Sequence, residues 1–197
     1  MAHSSGTRIG AIAGGLRQDE PIGRVERRTA GVAVIIRTAP SGEEVLLIRR
    51  AVREGDPWSG DAAFPGGRVE AADGSFRDAA AREALEEVGV DLAANARFLG
   101  YMHQFQSRRR DIWVVPGVFL LAGTVSIRAN SEVSSYLWVP LLDLLGRENR
   151  STFTLVLGED RMTFPSLNLR GYVVWGLTEK ILTSLAGSMG GEAGGSL

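Results

Sequence analysis

Short apolar runs alternate with segments of helical spacing along most of the chain. The apolar runs 30–36 and 44–48 flank Pro40-Ser41-Gly42, a turn signal, and therefore predict a β-hairpin. A helix is predicted at 75–88, because Gly89 is typical of a helix end. Further strands are predicted at 98–105, 112–121, 136–139, 152–157 and 161–164, and further helices at 141–145 and 172–185. Strands mixed with a few helices, without regular β-α-β alternation, predict an α+β fold or a layered α/β/α fold.

The composition is that of an ordinary globular chain. Of its 197 residues, 44% are hydrophobic and 23% are charged, with a formal net charge of −1. This charge balance argues against a protein that binds a nucleic acid polymer or a membrane surface by bulk electrostatics. No run approaches the ~18 apolar residues of a membrane-spanning helix. The absence of cysteine excludes disulfides, thiolate metal sites and cysteine nucleophiles, and it fits a cytoplasmic protein.

One domain is the economical interpretation, since the chain contains no internal repeat and no linker. We expect a loosely packed N-terminal extension at 1–24, with at most one short helix, and a domain at 25–186. Residues 187–197 are rich in glycine and are expected to be a disordered tail. A homodimer is left open.

The predicted helix at 75–88 carries the candidate chemistry. Glu83, Glu86 and Glu87 fall within an arc of roughly 100°. The residues expected on the opposite, core-facing side are Ala80, Ala81, Ala84, Leu85 and Val88. Three carboxylates at this spacing repel one another unless a cation lies among them. Oxygen ligands of this kind suit Mg²⁺ or Mn²⁺.

Arg82 is placed to pair with Glu86 one turn later, which would fix the rotamer of that carboxylate. Taken alone, such a run of charges is typical of a solvated helix face. The combination of Gly66-Gly67, a short acidic loop, this helix and Gly89 is much more specific.

The joint pattern resembles the Nudix hydrolase family. The family box is a glycine, five residues, a glutamate, seven residues and then Arg-Glu-U-x-Glu-Glu-x-Gly-U, where U is bulky and apolar. The first half departs from it, since Asp73 stands where the family has glutamate and eight residues rather than seven separate it from Arg82. The second half is matched by Arg82, Glu83, Ala84, Glu86, Glu87, Gly89 and Val90.

The resemblance implies an α/β/α sandwich with a mixed β-sheet, and hydrolysis of a diphosphate linked to another moiety. It implies that Glu83, Glu86, Glu87 and Gly67 form the metal site and that Arg82 acts in catalysis. The catalytic base is left open between Glu83 and Glu132, which precedes an apolar strand as a similar glutamate does in several Nudix enzymes.

The region before the box resembles the coenzyme A pyrophosphatase branch of the family. The matching positions are Leu46, Leu47, Arg50, Ala51, Gly60, Phe64, Pro65, Gly66 and Gly67, whereas Ile48 and Asp56 depart from the pattern. Trp175-Gly176-Leu177-Thr178 is also similar to a segment of that branch.

Coenzyme A or a related ester is therefore the expected substrate. Arg50, Arg53 and Arg68 are candidate substrate-binding residues, and Arg49 is a further candidate, because arginine binds phosphate oxygens in a bidentate manner. Two alternatives stay open. One is a pyrophosphatase acting on oxidised nucleoside triphosphates, ADP-ribose or a nucleotide sugar, and the other is a non-catalytic binding module with the same fold.

Overall fold

A computed structural model describes residues 5–21, 28–54, 59–107, 111–158 and 160–190 of the chain. Its helices are α1 (Ser5–Gly14), α2 (Phe76–Val88), α3 (Leu92–Asn95) and α4 (Gly176–Ser188), with 3₁₀ turns at Leu141–Leu144 and Arg147–Asn149. Its strands are β1 (Thr29–Ala39), β2 (Gly42–Arg50), β3 (Ala62–Ala63), β4 (Gly66–Arg68), β5 (Ala96–Tyr101), β6 (Phe105–Ser107), β7 (Ile112–Leu121), β8 (Val133–Pro140), β9 (Arg150–Leu157), β10 (Asp160–Leu169) and β11 (Tyr172–Trp175).

β1 lies at the centre of the larger sheet. It pairs in parallel with β7 and antiparallel with β2 and β4. The main path of the sheet runs β3-β2-β1-β7-β5, and β8 and β6 pair with β2 and β7 respectively. The sheet is therefore mixed, as expected from the sequence.

Helices cover both faces of this sheet. Successive side chains of a strand point to opposite faces. In β1, Val34 and Ile36 join the apolar cluster that contains α4, whereas Ala33 and Ile35 join the cluster that contains α2. Burial on both faces explains why β1 is a continuous apolar run rather than an alternating one. The predicted layered α/β/α fold is confirmed.

A smaller antiparallel sheet has the order β11-β10-β9. The turn Arg170-Gly171 joins β10 to β11 with φ angles of 52° and 87°, a geometry that matches the twist of hairpin strands. The predicted helix at 172–185 is wrong in its first turn, because Tyr172–Trp175 forms β11. Aromatic and β-branched residues directly after a tight turn favour a strand, and the chain enters α4 at Gly176, where φ is 66°.

Two other elements differ from their predictions. The predicted strand at 98–105 is divided into β5 and β6. At the break, the carbonyl oxygen of Pro116 accepts a hydrogen bond from the N–H of Met102 at 2.9 Å, but proline has no N–H to donate in return. The predicted helix at 141–145 is a single 3₁₀ turn.

The described part of the N-terminal extension packs against the domain. Ile12 of α1 is completely buried, and Arg8 pairs with buried Glu43 at 2.8 Å. Arg17 forms a β-bridge with Tyr101. The expectation of loose packing is therefore wrong for this segment, because its apolar residues complete the cluster under α4.

The ends of the predicted domain are only partly covered by the described residues. The expected boundary between 24 and 25 lies outside them, as do residues 191–197 of the expected tail. α4 continues through Gly187 to Ser188. Among the helices described, none combines the length and apolar character needed to cross a membrane.

Candidate active site

Capping residues define both ends of α2, and its first turn packs closely against β1. The hydroxyl of Ser75, its N-cap, accepts a hydrogen bond from the N–H of Asp78 at 3.0 Å. A Cβ at Gly31 would lie 2.5 Å from the carbonyl oxygen of Phe76, so glycine in β1 allows the first turn to approach closely. Gly89 ends the helix in the left-handed conformation, with φ 69°.

The N-terminal segment also contributes to the start of this helix. A carboxylate oxygen of Glu20 accepts a hydrogen bond from the N–H of Phe76 at 2.7 Å. A negative charge at this end of a helix is favourable, because the unpaired N–H groups carry partial positive charge. Glu20 therefore helps to fix where α2 begins.

The carboxylates of α2 differ in burial. Glu87 is only 6% exposed and shares a stripe with the buried residues Ala80 and Ala84, whereas Leu85 is 53% exposed. The predicted separation into an acidic face and a core face holds for Glu86 and for buried Ala80, Ala84 and Val88, but it is wrong for Glu87 and Leu85. The reason is that α2 also packs over β4, where glycines leave room for carboxylates between helix and strand.

Gly66 and Gly67 form the floor of this carboxylate cluster. The N–H of Gly66 donates a hydrogen bond to Oε2 of Glu87 at 3.0 Å. A Cβ at Gly67 would overlap the carboxylate of Glu83. Gly67 is thus required by the space that the carboxylate of Glu83 occupies, whereas a Cβ at Gly66 would meet Gly31 and Val32 of β1 at 2.6 Å.

The buried carboxylates are costly as anions. Burial, together with the charges of Glu83 and Glu132, raises the pKa of Glu87 to about 7. The hydrogen bond from Gly66 and the charge of Arg50 lower this pKa, but by less. Burial also raises the pKa of Glu83. A cation among these groups would relieve both the burial penalty and the mutual repulsion.

Arg82 connects the carboxylates to the preceding loop. Its guanidinium donates to Glu83 at 2.9 Å, to the carbonyl oxygen of Arg68 at 3.0 Å, and to both carboxylate oxygens of Asp73 at 3.2 Å. The expected contact with Glu86 is present at 3.4 Å, but it is the longest of these. The hydrogen bond to Asp73 is the main reason that the pKa of Arg82 is raised.

Asp73 is a site residue that the sequence pattern did not reveal as such. Its carboxylate is almost fully buried and also accepts the N–H of Glu70 at 2.7 Å. The available signal was an acidic residue in the first half of the box, at the position where the family has glutamate. The structure assigns Asp73 to holding Arg82.

Glu132 and Arg53 form an ion pair beside α2. Oε1 of Glu132 lies 3.0 Å from Nη2 of Arg53, and both side chains are about half exposed. The N–H of Asn130 bonds the carbonyl oxygen of Glu87 at 3.0 Å, and the N–H of Ala51 bonds that of Glu132 at 2.7 Å. These bonds bring the end of β2 and the loop before β8 to the carboxylate cluster.

The other predicted arginines occupy three different places. Arg50 lies close enough to Glu87 to lower its pKa. Arg68 has an exposed side chain, and its carbonyl oxygen contacts Arg82. Arg49 lies apart, with its guanidinium 4.4 Å from the ring of Tyr172. Asp56 lies outside the described residues.

The donor set of α2 fits a hard divalent cation in its chemistry. Among the described residues, no three acidic or histidine side chains are already gathered for a metal ion. Glu83 and Glu86 contact Arg82 instead. The donors are nevertheless all carboxylate oxygens, they repel one another, and glycines beside them leave space, which together suit an oxygen-preferring ion.

Comparison with known families agrees with this geometry. Residues 27–156 match the NUDIX domain family model. This chain belongs to the NUDIX domain family. Hydrolases of the Nudix family generally need divalent metal ions.

Relatives of this NUDIX protein match different shares of its length. An uncharacterised protein of Schizosaccharomyces pombe is 41% identical over 110 residues, which are 51% of this chain and 33% of that protein. The peroxisomal coenzyme A diphosphatase ndx-8 of Caenorhabditis elegans is 31% identical over 139 residues, 70% of this chain and 59% of that protein. The chain thus spans less than two thirds of the length of either relative.

A solved structure supports the fold alone. The C. elegans Ap4A hydrolase binary complex has a TM-score of 0.50 and 18% identity, and the match covers 60% of this chain and 83% of that one. The mixed sheet between helices is therefore an arrangement that this NUDIX protein shares with it.

Glu87 makes the stability of the metal-free NUDIX protein depend on pH. Its pKa rises on folding from 4.5 to about 7, so the folded protein binds more protons than the unfolded chain in that window. Stability therefore falls as pH rises from about 4.5 to about 7, by roughly 3 kcal/mol from this group. In EDTA, Glu87→Gln should unfold at higher urea concentration than wild type at pH 8, and at the same concentration at pH 4.5.

The matched control for this measurement is Glu148→Gln, which changes an exposed carboxylate in a 3₁₀ turn. This variant should show the same difference in urea midpoint between pH 8 and pH 4.5 as wild type does. Equal midpoints for wild type and Glu87→Gln at pH 8 would show that burial of this carboxylate carries no such cost.

Asp73→Asn should weaken metal binding without removing a metal ligand. The amide keeps the size of the side chain but loses the charge that holds Arg82, and outer-shell partners typically change metal affinity ~10–100-fold. We expect a higher dissociation constant for Mn²⁺ by calorimetry and a lower rate at limiting metal. Normal Mn²⁺ affinity with only a raised Michaelis constant would place Arg82 on the substrate instead.

Proposed function

We propose that this protein is a pyrophosphohydrolase that cleaves the diphosphate linkage of a nucleoside diphosphate derivative, with coenzyme A or a coenzyme A ester as substrate. The observation that carries this proposal is that Glu87 and Glu83 lie over Gly66 and Gly67, while Arg82 contacts both Glu83 and Glu86. Mg²⁺ or Mn²⁺ bound there would neutralise the diphosphate and activate water.

The residues of the chain have distinct tasks in this proposal. The metal ligands are the carboxylates of Glu83, Glu86 and Glu87. Glu83 and Glu87 lie between α2 and β4, whereas Glu86 is exposed. Arg82, anchored by Asp73, orients Glu83 and Glu86. The general base accepts a proton from the attacking water, and Glu132 beside the cluster is our first candidate for it.

The choice of coenzyme A rests on sequence similarity and on charge. The C. elegans relative is named a coenzyme A diphosphatase, and the segment from Leu46 to Gly67 resembles that branch. Arg50 places a positive charge near Glu87, where a diphosphate would approach the metal ligands. Arg53 supplies another half-exposed guanidinium at the same edge.

A substrate panel tests the proposal. The intact protein is incubated with coenzyme A, ADP-ribose, a dinucleoside polyphosphate and oxidised dGTP, each with Mg²⁺ or Mn²⁺, and the products are separated by chromatography. We expect phosphopantetheine and 3′,5′-ADP from coenzyme A as the fastest reaction. Oxidised dGTP as the best substrate by tenfold or more would reject the coenzyme A assignment, and activity undiminished in EDTA would reject metal-dependent hydrolysis.

A further inference from the structure

Arg49 and Arg50 are consecutive in β2 but face opposite sides of the central sheet. Arg50 pairs with Val133, which belongs to the cluster containing α2. Arg49 pairs with Ala62 of β3, which belongs to the cluster containing α4. The irregularity in the β2–β8 ladder falls on the β8 side, so the alternation along β2 is kept. The end of β2 therefore presents one guanidinium on each side.

The guanidinium of Arg49 has no carboxylate partner within the described part of the chain. Among the described residues, its buried Nε has no acceptor, and the guanidinium donates one hydrogen bond, from Nη2 to the carbonyl oxygen of Gly171 at a long 3.3 Å. By contrast, carboxylates lie within 4.0 Å of Arg8, Arg37, Arg53, Arg82 and Arg170. A partly buried guanidinium without an anion is costly, so an anionic ligand would be stabilised there.

The groups around Arg49 suit a phosphate. The ring of Tyr172 lies 4.4 Å from the guanidinium, which fixes its orientation. The hydroxyl of Tyr172 is 2.7 Å from Oγ of Ser135. Ser135 is the residue of β8 that pairs with Arg49 of β2. The guanidinium supplies N–H donors, and because one hydroxyl of this pair donates to the other, the pair supplies one further O–H donor.

We propose that Arg49, Tyr172 and Ser135 form an anion subsite on the side of β2 opposite α2, and that it binds a phosphate monoester of the substrate remote from the diphosphate that is cleaved. This inference rests on the proposed function, because it requires a substrate that carries both groups. Coenzyme A does so, with its diphosphate on the 5′ oxygen and its monoester on the 3′ oxygen of one ribose. A ligand lying across the end of β2 would place its diphosphate near Arg50 and its phosphate monoester near Arg49.

Steady-state kinetics with two substrates test the subsite. Coenzyme A and dephospho-coenzyme A share the diphosphate and differ only in the 3′-phosphate. Because a charge-assisted hydrogen bond typically contributes a factor of about 10 to 100, Arg49→Gln should lower kcat/KM for coenzyme A by that factor, mainly through KM. The same variant should change kcat/KM for dephospho-coenzyme A by less than about threefold.

Arg37→Gln is the matched control. Arg37 also lies in the central sheet over an aromatic ring, that of Trp138 at 4.1 Å, but it is paired with Glu44. Removing this charge should leave the ratio of the two kcat/KM values unchanged. Tyr172→Phe is the second variant, should Arg49→Gln fold poorly, and it is expected to reduce the ratio in the same direction. An equal loss on both substrates, or no loss on either, would overturn the subsite while leaving hydrolysis of coenzyme A intact.

Calorimetry separates this inference from the proposed function. We expect 3′,5′-ADP to bind wild type at least about tenfold more tightly than 5′-AMP does, and Arg49→Gln to remove that difference. If coenzyme A is not hydrolysed but the preference for 3′,5′-ADP is present and depends on Arg49, the substrate assignment fails and the subsite stands. Equal affinities of wild type for the two nucleotides would reject the subsite.

Discussion

Glu86→Gln and Glu87→Gln should each lower kcat by at least ~100-fold, because each replaces an anionic ligand in a site whose chemistry depends on charge neutralisation by a metal ion. The two variants should differ in stability. Glu86 is largely exposed, so its change should leave unfolding unaltered. Glu87 is buried with a pKa raised to about 7, so its change should stabilise the metal-free protein at pH 8.

This contrast makes the first prediction specific to metal binding rather than to damage of the fold. Activity is measured on coenzyme A with saturating Mg²⁺, and the folded state is checked by circular dichroism. The control Glu148→Gln removes an exposed carboxylate elsewhere and should retain full activity. Near-wild-type rates in both site variants, with the fold intact, would remove α2 from the metal site.

The chemistry of the site was largely predictable from the sequence, whereas its arrangement was not. The spacing of Glu83, Glu86 and Glu87 placed them on one helix, and Gly66-Gly67 marked the neighbouring strand. The burial of Glu87 was not predictable from helical periodicity, which assigns a charged residue to the solvent face. It depends on Gly66 and Gly67 of β4 lying beside the helix, and the hydrogen bond from Gly66 to Glu87 joins positions 21 residues apart.

The limits of prediction in the fold have the same origin in tertiary contacts. The strand Tyr172–Trp175 has the apolar spacing of a helix start, and only the turn at Arg170-Gly171 and pairing with β10 decide its conformation. The N-terminal segment has little apolar periodicity, yet Ile12 completes a core cluster and Glu20 bonds the first turn of α2. Local patterns do not report such long-range contacts.

The identity of the general base is the prediction with the second large effect. Glu132 is held beside the cluster by the loop that bonds the end of α2 and the end of β2. Its carboxylate is half exposed and is paired with Arg53 at 3.0 Å rather than with Arg82. Glu83 is already committed to Arg82 at 2.9 Å and lies against Gly67, which suits a ligand more than a mobile base.

Glu132→Gln should therefore lower kcat by at least ~100-fold, since a general base typically contributes ~10²–10⁴-fold. Its Mn²⁺ affinity, measured by calorimetry, should stay close to that of wild type, whereas Glu83→Gln should lose both affinity and rate. The rate–pH profile of Glu132→Gln should also lose its acidic limb, because the group that must be deprotonated is absent. If Glu132→Gln stays within a few-fold of wild type while Glu83→Gln is inactive, the base is Glu83, and Glu132 is a surface carboxylate held by Arg53.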